Sequence, residues 1–224
     1  MNVGENISDS LQYPIQDWVK LLILGIILII PIVNFIALGY YLRIIKSTLA
    51  GIDDIPDFDD VGELFIDGLK ILIVGIIYSI IPLIFYLLAF VFAGTGDFSN
   101  VAFNGIALLF FIIAILLAII ISIFAYVGIA NMAYYDGEIG AALRYSEILD
   151  RIRAIGWGNY IIWWIVLMVV LTVIGLIIGL VGGILMFILI GFLVFLLGYG
   201  YLLMFQGRSV ALIFAESAEY EPVE

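Results

Sequence analysis

Residues 154–207 read AIGWGNYIIWWIVLMVVLTVIGLIIGLVGGILMFILIGFLVFLLGYGYLLMFQG, fifty-four positions without an Asp, Glu, Lys or Arg. One helix of that length would reach about 80 Å, against a hydrocarbon core of roughly 30 Å in a bilayer. The stretch has to fold back on itself, and Gly182-Gly183 supplies a turn signal. It therefore reads as two apolar helices joined in a hairpin inside lipid. Gly175, Gly179, Gly182 and Gly183 form a small-residue face, with a GxxxG spacing from Gly175 to Gly179. Such faces allow helix backbones to approach closely, and internal packing is the expected use of this one.

Three further charge-free stretches precede it: 21–42, 71–96 and 98–135, of 22, 26 and 38 residues. The second and third predict one helix each, joined through Gly94-Thr95-Gly96-Asp97, with the turns around Asn131 to Tyr135 projecting from the membrane. The first admits two readings, a single span kinked at Pro31 or a short re-entrant hairpin turning near Pro31-Ile32-Val33-Asn34. Two observations favour the hairpin. Asp17-Trp18-Val19-Lys20, Gly25 and Pro31 resemble Asp67-Gly68-Leu69-Lys70, Gly75 and Pro82, and the returning stretches end in similar Gly/Tyr clusters at Gly39-Tyr40-Tyr41, Tyr126-Val127-Gly128 and Gly198-Tyr199-Gly200-Tyr201. Internal repeats of this kind are common in membrane folds. With three hairpins, Lys20, Arg43, Lys46, Lys70, Arg144, Arg151, Arg153 and Arg208 also fall on one side. Against it, each arm of the first hairpin has only about 11 residues, or about 16 Å.

The expected fold is thus all-α: a polytopic membrane protein of five to six membrane helices, read as three pseudo-repeated helical hairpins with the first shortened, plus interfacial helices. Residues 1–17 form an N-terminal interfacial segment. Residues 18–214 form a single membrane domain, with segments 18–50, 64–93, 101–135, 157–181 and 183–214. Residues 215–224 form an acidic tail. Lys/Arg placement puts the charged loops, the C-terminus and the N-terminus in the cytoplasm of a multi-pass cell-membrane protein. The first 17 residues hold no Lys or Arg and carry Glu5, Asp9 and Asp17, the wrong start for a secretory signal.

Composition supports this class and removes several chemistries. Sixty-six per cent of the 224 residues are hydrophobic and 12% are charged, whereas soluble domains average about 45–50% and about 25%. No Cys and no His are present. Thiolate chemistry, His-dependent triads, haem and most zinc sites are thereby excluded. A net charge of −11 argues against a nucleic-acid partner. No cofactor is expected. The polar groups within the apolar segments are few, Asn34, Tyr78, Ser79, Asn104, Ser122, Tyr126 and Thr172, and none ionises in mid-membrane. An ion-coupled transporter usually needs such a group.

The first charged loop holds seven carboxylates from Asp53 to Asp67. Asp57, Asp59, Asp60 and Glu63 could in principle offer oxygen ligands to Mg²⁺ or Ca²⁺, but their spacing is not that of an EF-hand. The favoured reading is a solvated turn, with Asp59 or Asp60 capping the next helix and Glu63 completing a capping box from Asp60. In residues 136–156, Ile139, Leu143, Ser146, Leu149 and Ile152 recur at helical spacing, and Glu147 and Arg151 form an i,i+4 pair. This predicts an amphipathic helix along the interface. Trp18, Trp157, Tyr160, Trp163 and Trp164 read as interface anchors.

The stretch from Gly39 to Lys70, GYYLRIIKSTLAGIDDIPDFDDVGELFIDGLK, resembles the signature of a largely archaeal membrane family catalogued as domain of unknown function 4013. Tyr135 to Glu147, YDGEIGAALRYSE, resembles it as well, and the resemblance covers roughly residues 11 to 214. It implies the architecture above and an archaeal origin, makes Pro56, Phe58, Asp59, Gly68 and Lys70 motif positions, and assigns no activity. The expected function is that of a non-enzymatic protein that organises membrane lipids or binds a protein partner on the cytoplasmic face. Asp57, Phe58, Asp59, Asp60, Arg144 and Arg151 are the candidate docking residues. A facilitator or carrier of an apolar or lipid-like solute is the alternative. A carboxylate- or metal-dependent membrane enzyme ranks third.

Overall fold

A computed structural model describes residues 2–93 and 105–218. Eight α-helices account for most of them: α1 (Val3–Gln12), α2 (Trp18–Ile29), α3 (Asn34–Leu49), α4 (Val61–Ala93), α5 (Gly105–Tyr134), α6 (Tyr145–Ile155), α7 (Trp157–Leu185) and α8 (Ile190–Ala218). Short 3-10 turns cover Tyr13–Gln16, Ile139–Leu143 and Met186–Ile188. There is no strand among the described residues. The loop expected at 94–97, Asn104 and the end of the tail lie outside them.

The three expected hairpins are α2/α3, α4/α5 and α7/α8. Helices α4, α5, α7 and α8 are long and apolar enough to cross a membrane. The arms of the first hairpin hold 12 and 16 residues, so six membrane helices are counted only if these short arms are included. The chain breaks at Ile30–Val33, with Ile32 at a positive φ of 72°. Both arms of this hairpin meet one loop: Lys20 Nζ donates to the Ile55 carbonyl and Arg43 Nη1 to that of Asp57. The first apolar stretch therefore starts and ends on one side and turns back between.

The repeat seen in the sequence is only partly kept in the structure, and the expected α7/α8 turn is corrected. Pro82 lies inside the continuous α4 and ends nothing, so its likeness to Pro31 stops at sequence. Asp17 caps α2, accepting from the Val19 and Lys20 amides, whereas its repeat partner Asp67 is buried within α4. The turn between α7 and α8 falls at Met186–Leu189, beyond Gly182-Gly183, with Leu189 at φ 63°. Gly182 is needed elsewhere, since the backbone of Gly191 and the ring of Phe195 pack against it. Gly175, Gly179 and Gly183 meet nothing that an added Cβ would touch, so the expected internal packing of that face is confined to Gly182.

The close helix contacts are made instead by Gly25, Gly39, Gly68 and Gly200, drawn from all three hairpins. A Cβ on Gly39 would collide with the Leu64 carbonyl, and one on Gly68 with that of Phe35. Helices α3 and α4 thus cross backbone to backbone. Gly25 meets the backbone of Leu196, and Gly200 faces Leu21, giving α2 and α8 a similar contact. The short hairpin is clasped between α4 and α8 by small residues, the usual device where lipid and protein are equally apolar.

The remaining segments cover the charged end. Helix α1 lies at 88° to α2, as an interfacial helix should, and begins with a capping box between Asn2 and Glu5. Its Asn6 side chain donates to the Ser209 carbonyl, while Ser209 Oγ donates to Asn6 Oδ1 and accepts from Trp163 Nε1 at 3.0 Å. The segment after α5 is not one helix: it is a 3-10 turn and then α6, broken at Arg144. Ile148, Ile152 and Ile155 form the buried face of α6, Leu149 is half-buried, and Ser146 is exposed. The last turn of α5 is buried beneath this segment, with Asn131 Nδ2 donating to the Ala141 carbonyl. Among the aromatics, Trp18 and Trp157 are exposed as interface anchors require. Tyr160 and Trp163 are fully buried core residues, and Trp164 is half-buried.

Gly68→Ala should force α3 and α4 apart, destabilising the protein by about 1–3 kcal/mol as overpacking does. Gly175→Ala, into open space, should change stability by less than about 0.5 kcal/mol. Thermal unfolding of the two variants in one detergent checks the contrast.

Candidate functional site

Two features stand out: a network of ion pairs at one end of the bundle, and an apolar cavity beneath it.

All eight basic residues take part in ion pairs, and these pairs use most of the residues that the sequence nominates for docking or metal binding. Lys20 Nζ meets Asp57 at 2.8 Å. Arg43 pairs with Asp59 and, at 3.4 Å, with Glu63. Phe58 stacks on Tyr40, with ring centroids 4.1 Å apart. Asp60 sits at φ 46° directly before α4, and its carbonyl accepts from the Leu64 amide. Because Glu63 turns to Arg43, the expected capping box with Asp60 is replaced by a link to α3. Among the described residues no three carboxylates gather where they could hold a metal ion. Asp57 reaches Lys20, whereas Asp59 and Glu63 share Arg43, so the three are drawn to cations rather than gathered round one site.

The other candidate docking residues are likewise engaged. Arg144 binds both carboxylate oxygens of Glu138, at 2.9 and 2.8 Å, and lies over the Tyr135 ring. Arg151 pairs with Glu147 at 3.8 Å, as its spacing predicts, and lies over Tyr134 and Phe214. Each of these charged candidates other than Asp60 thus has an intramolecular ion-pair partner.

The sequence reading missed two centres of this network. Arg208 is 4% exposed. Its Nε meets Asp9 at 2.8 Å and its Nη2 meets Asp53 at 2.7 Å, tying α1 and the acidic loop to α8. Asp67, also 4% exposed, lies between Lys70 at 2.8 Å and Lys46 at 3.2 Å. Lys46 continues to Asp136 at 2.9 Å. Burial works to lower the Lys46 pKa, but the hydrogen bond with Asp136 and the Asp67 charge outweigh it and hold the ammonium above its ordinary value. The same hydrogen bond to Lys46 holds Asp136 below the ordinary carboxylate range.

Beneath this end lies a cavity of about 570 Å³, within the usual range for small-molecule sites. Gly25, Leu28 and Ile29 of α2, Leu38 and Tyr41 of α3, Ile71 of α4, Tyr126 and Ile129 of α5, and Phe195, Tyr199, Leu202, Leu203 and Gln206 of α8 line it. No charged side chain is among these. Its more deeply set polar groups are Gln206, whose Nε2 donates to Tyr126 Oη at 3.0 Å, and the buried Tyr41, whose hydroxyl has no hydrogen-bond partner; a third tyrosine, Tyr199, lines the other end. Tyr41 and Gln206 are each two residues from a paired arginine, Arg43 and Arg208. Along α8 the lining runs from Gln206 to Phe195, about 16 Å at 1.5 Å per residue. At the far end Ile29 and Tyr199 are exposed, so the cavity opens there on the apolar flank of the bundle. Composition could suggest Tyr126 as a buried polar group, but nothing in the local pattern brings Tyr41, Tyr126 and Gln206 together.

The fold and its apolar flanks define a polytopic all-α membrane protein. Residues 23–183, well over half of the chain, match the family described as Protein of unknown function (DUF4013), and the chain belongs to that family. It is similar to an uncharacterized protein of Methanocaldococcus jannaschii, MJ1189, with 31% identity over 144 residues, 62% of this chain and 47% of that protein. The chain thus spans about half the length of this relative. No solved structure matches.

Asp67→Ala should leave Lys46 and Lys70 facing each other over a buried site and destabilise the protein by up to about 3 kcal/mol. For the exposed Asp136 the effect is smaller, under about 1 kcal/mol. With its folded pKa depressed, Asp136 stabilises above its unfolded value of about 3.9 and loses that contribution as pH falls through the lower folded value. For Lys46 the sign reverses: its contribution is complete below its unfolded value of about 10.4 and fades as pH rises through the folded one. Melting temperatures of the parent and Asp136→Asn between acid and neutral pH check this, with the difference between them vanishing in acid.

Proposed function

We propose that this protein is a non-catalytic membrane component that holds a lipid-like amphiphile between its helices, in the cavity framed by α2, α3, α5 and α8. The observation that carries this reading is the cavity itself: lined mainly by apolar side chains, with its buried polar groups at the inner end, and open to the flank where bilayer lipid lies. Its dimensions suit a single chain lying along α8. Van der Waals contact along such a chain, rather than ionic attraction, would supply the affinity.

Two further features support the reading. Neither Cys nor His is present to act as nucleophile or base. Asp9, Asp53 and Asp59 are held by Arg208 and Arg43, the arginines two residues from Gln206 and Tyr41, which favours structural over catalytic roles for them. A carrier of the same class of molecule is the second reading, favoured by the lateral opening between Ile29 and Tyr199. In either case the ion-paired end faces the cytoplasm of the cell membrane, as the positive-inside rule requires.

Native mass spectrometry of protein extracted gently from its own membranes should show a bound amphiphile at fixed stoichiometry. Leu202→Trp, which fills the cavity, should remove it without loss of helicity. Retention of the same mass by that variant would place the molecule elsewhere. Because the chain has no Cys, orientation is testable directly. An impermeant maleimide added to intact cells should label Ser99→Cys and leave Asp54→Cys unmodified.

A further inference from the structure

We infer that the cavity selects an uncharged amphiphile whose head presents an oxygen acceptor, and that Tyr41, Tyr126 and Gln206 form the head site. The inference rests on the lipid-binding reading above and specifies its ligand.

The Tyr41 hydroxyl is buried and unpaired. Tyr41 is 7% exposed, and a phenol donor buried without a partner is disfavoured by its lost hydration. Other buried polar atoms share that condition, on Asn34, Asn131 and Trp164, but Tyr41 alone of these lines the cavity. Gln206 Nε2 donates to the Tyr126 oxygen, which leaves the Tyr126 proton free to donate onward. Two O–H donors thus meet at one end of an apolar chamber. A carbonyl, ether or hydroxyl oxygen there would satisfy both.

The charge of the head follows from the pairing of the nearby cations. Arg43 and Arg208, the closest in sequence, are bound to Asp59 and Glu63 and to Asp9 and Asp53. Lys46 is bound to Asp67 and Asp136. No cation lines the chamber, so a phosphate or carboxylate head would enter it unpaired, at a large desolvation cost. An ammonium head would find no carboxylate either. The rest of the lining, from Leu202 and Leu203 to Phe195, Leu28 and Ile29, offers apolar contacts for a tail, apart from the exposed Tyr199 at the opening. Head and tail positions are fixed by this asymmetry: the head under the charged end, the tail toward the opening.

The test uses the full chain in phosphatidylcholine nanodiscs and a tetradecanol probe with a terminal photoreactive diazirine. Labelled peptides should contain residues of 28–29 or 195–203. Unlabelled tetradecanol should displace the probe, and tetradecane and tetradecyl phosphate should each do so about tenfold less well. Tyr41→Phe should weaken labelling about fivefold to tenfold, the loss of one hydrogen bond, while leaving the unliganded protein's melting temperature unchanged or higher because the orphan hydroxyl is gone. A merely structural Tyr41 would lower both. Gln206→Leu should weaken labelling similarly. Dioleoylglycerol and a short-chain quinone as competitors distinguish a bilayer lipid from a free redox or isoprenoid amphiphile. Displacement by either supports the inference, and displacement by neither opposes it. If tetradecane or tetradecyl phosphate competes as well as tetradecanol, or if both variants label like the parent, head selection is wrong and the cavity takes any chain. If no labelled peptide lies on the cavity wall, the lipid-binding reading falls with it.

Discussion

The short hairpin held by glycines between α4 and α8 is the contact on which the rest of the architecture depends. Gly39 and Gly68 bring α3 against α4, and Gly25 and Gly200 bring α2 against α8. With its arms of 12 and 16 residues, the hairpin turns back short of a full crossing. The long helices continue past it. The apolar residues along its α2 arm and those of α8 then enclose space that no side chain fills. A full-length first hairpin would have had length enough to close it. The cavity is thus a consequence of helix length and backbone approach, both written in a handful of small residues.

A clasp of that kind holds helices together but does not fix the ends of the chain. That is the task of the ion-paired end. Arg208 links α8 to α1 and to the acidic loop, Asp67 links α4 to α3 through Lys46, and Asp136 extends that link to the end of α5. Exposed pairs such as Arg153 with Asp150 contribute little. Arg208 and Asp67 differ because they are buried between two partners each, so removing Arg208 or Asp67 leaves two like charges facing each other. The acidic loop is consequently part of the framework. Its negative charge compensates cations already present on the helices.

The hydrophobic pattern made the helices legible, because charge-free runs of 26, 38 and 54 residues permit few arrangements in lipid. The turn at Pro31 was legible only as one of two readings, because a single span would still leave all the basic residues but Lys20 on one side. The α7/α8 turn was placed too early because Gly-Gly reads as a turn by local conformational preference, whereas here Gly182 accommodates Gly191 and Phe195. The pairing of Asp57, Asp59 and Glu63 with cations was illegible because their partners, Lys20 and Arg43, come from other helices. The cavity was illegible for the same reason. Its three polar residues are spread from position 41 to position 206 and meet only through tertiary packing.

Within the apolar helices most hydroxyls satisfy themselves. Ser79 donates to the Gly75 carbonyl, Thr172 to Met168 and Ser122 to Ile119, all on their own helices. Tyr78 and Tyr160 reach the carbonyls of Ala142 and Ile123. This is the behaviour that a medium without water imposes. Each of these groups could be placed by helical proximity or by packing at the bundle's end. Tyr41 breaks the pattern while being as deeply buried. A phenylalanine would fill the same volume without an unpaired donor, so packing alone gives no reason for the hydroxyl. A reason appears once the chamber is taken as a ligand site. Among the described residues that line the chamber, Tyr41 alone carries a buried hydroxyl that the fold leaves without a partner.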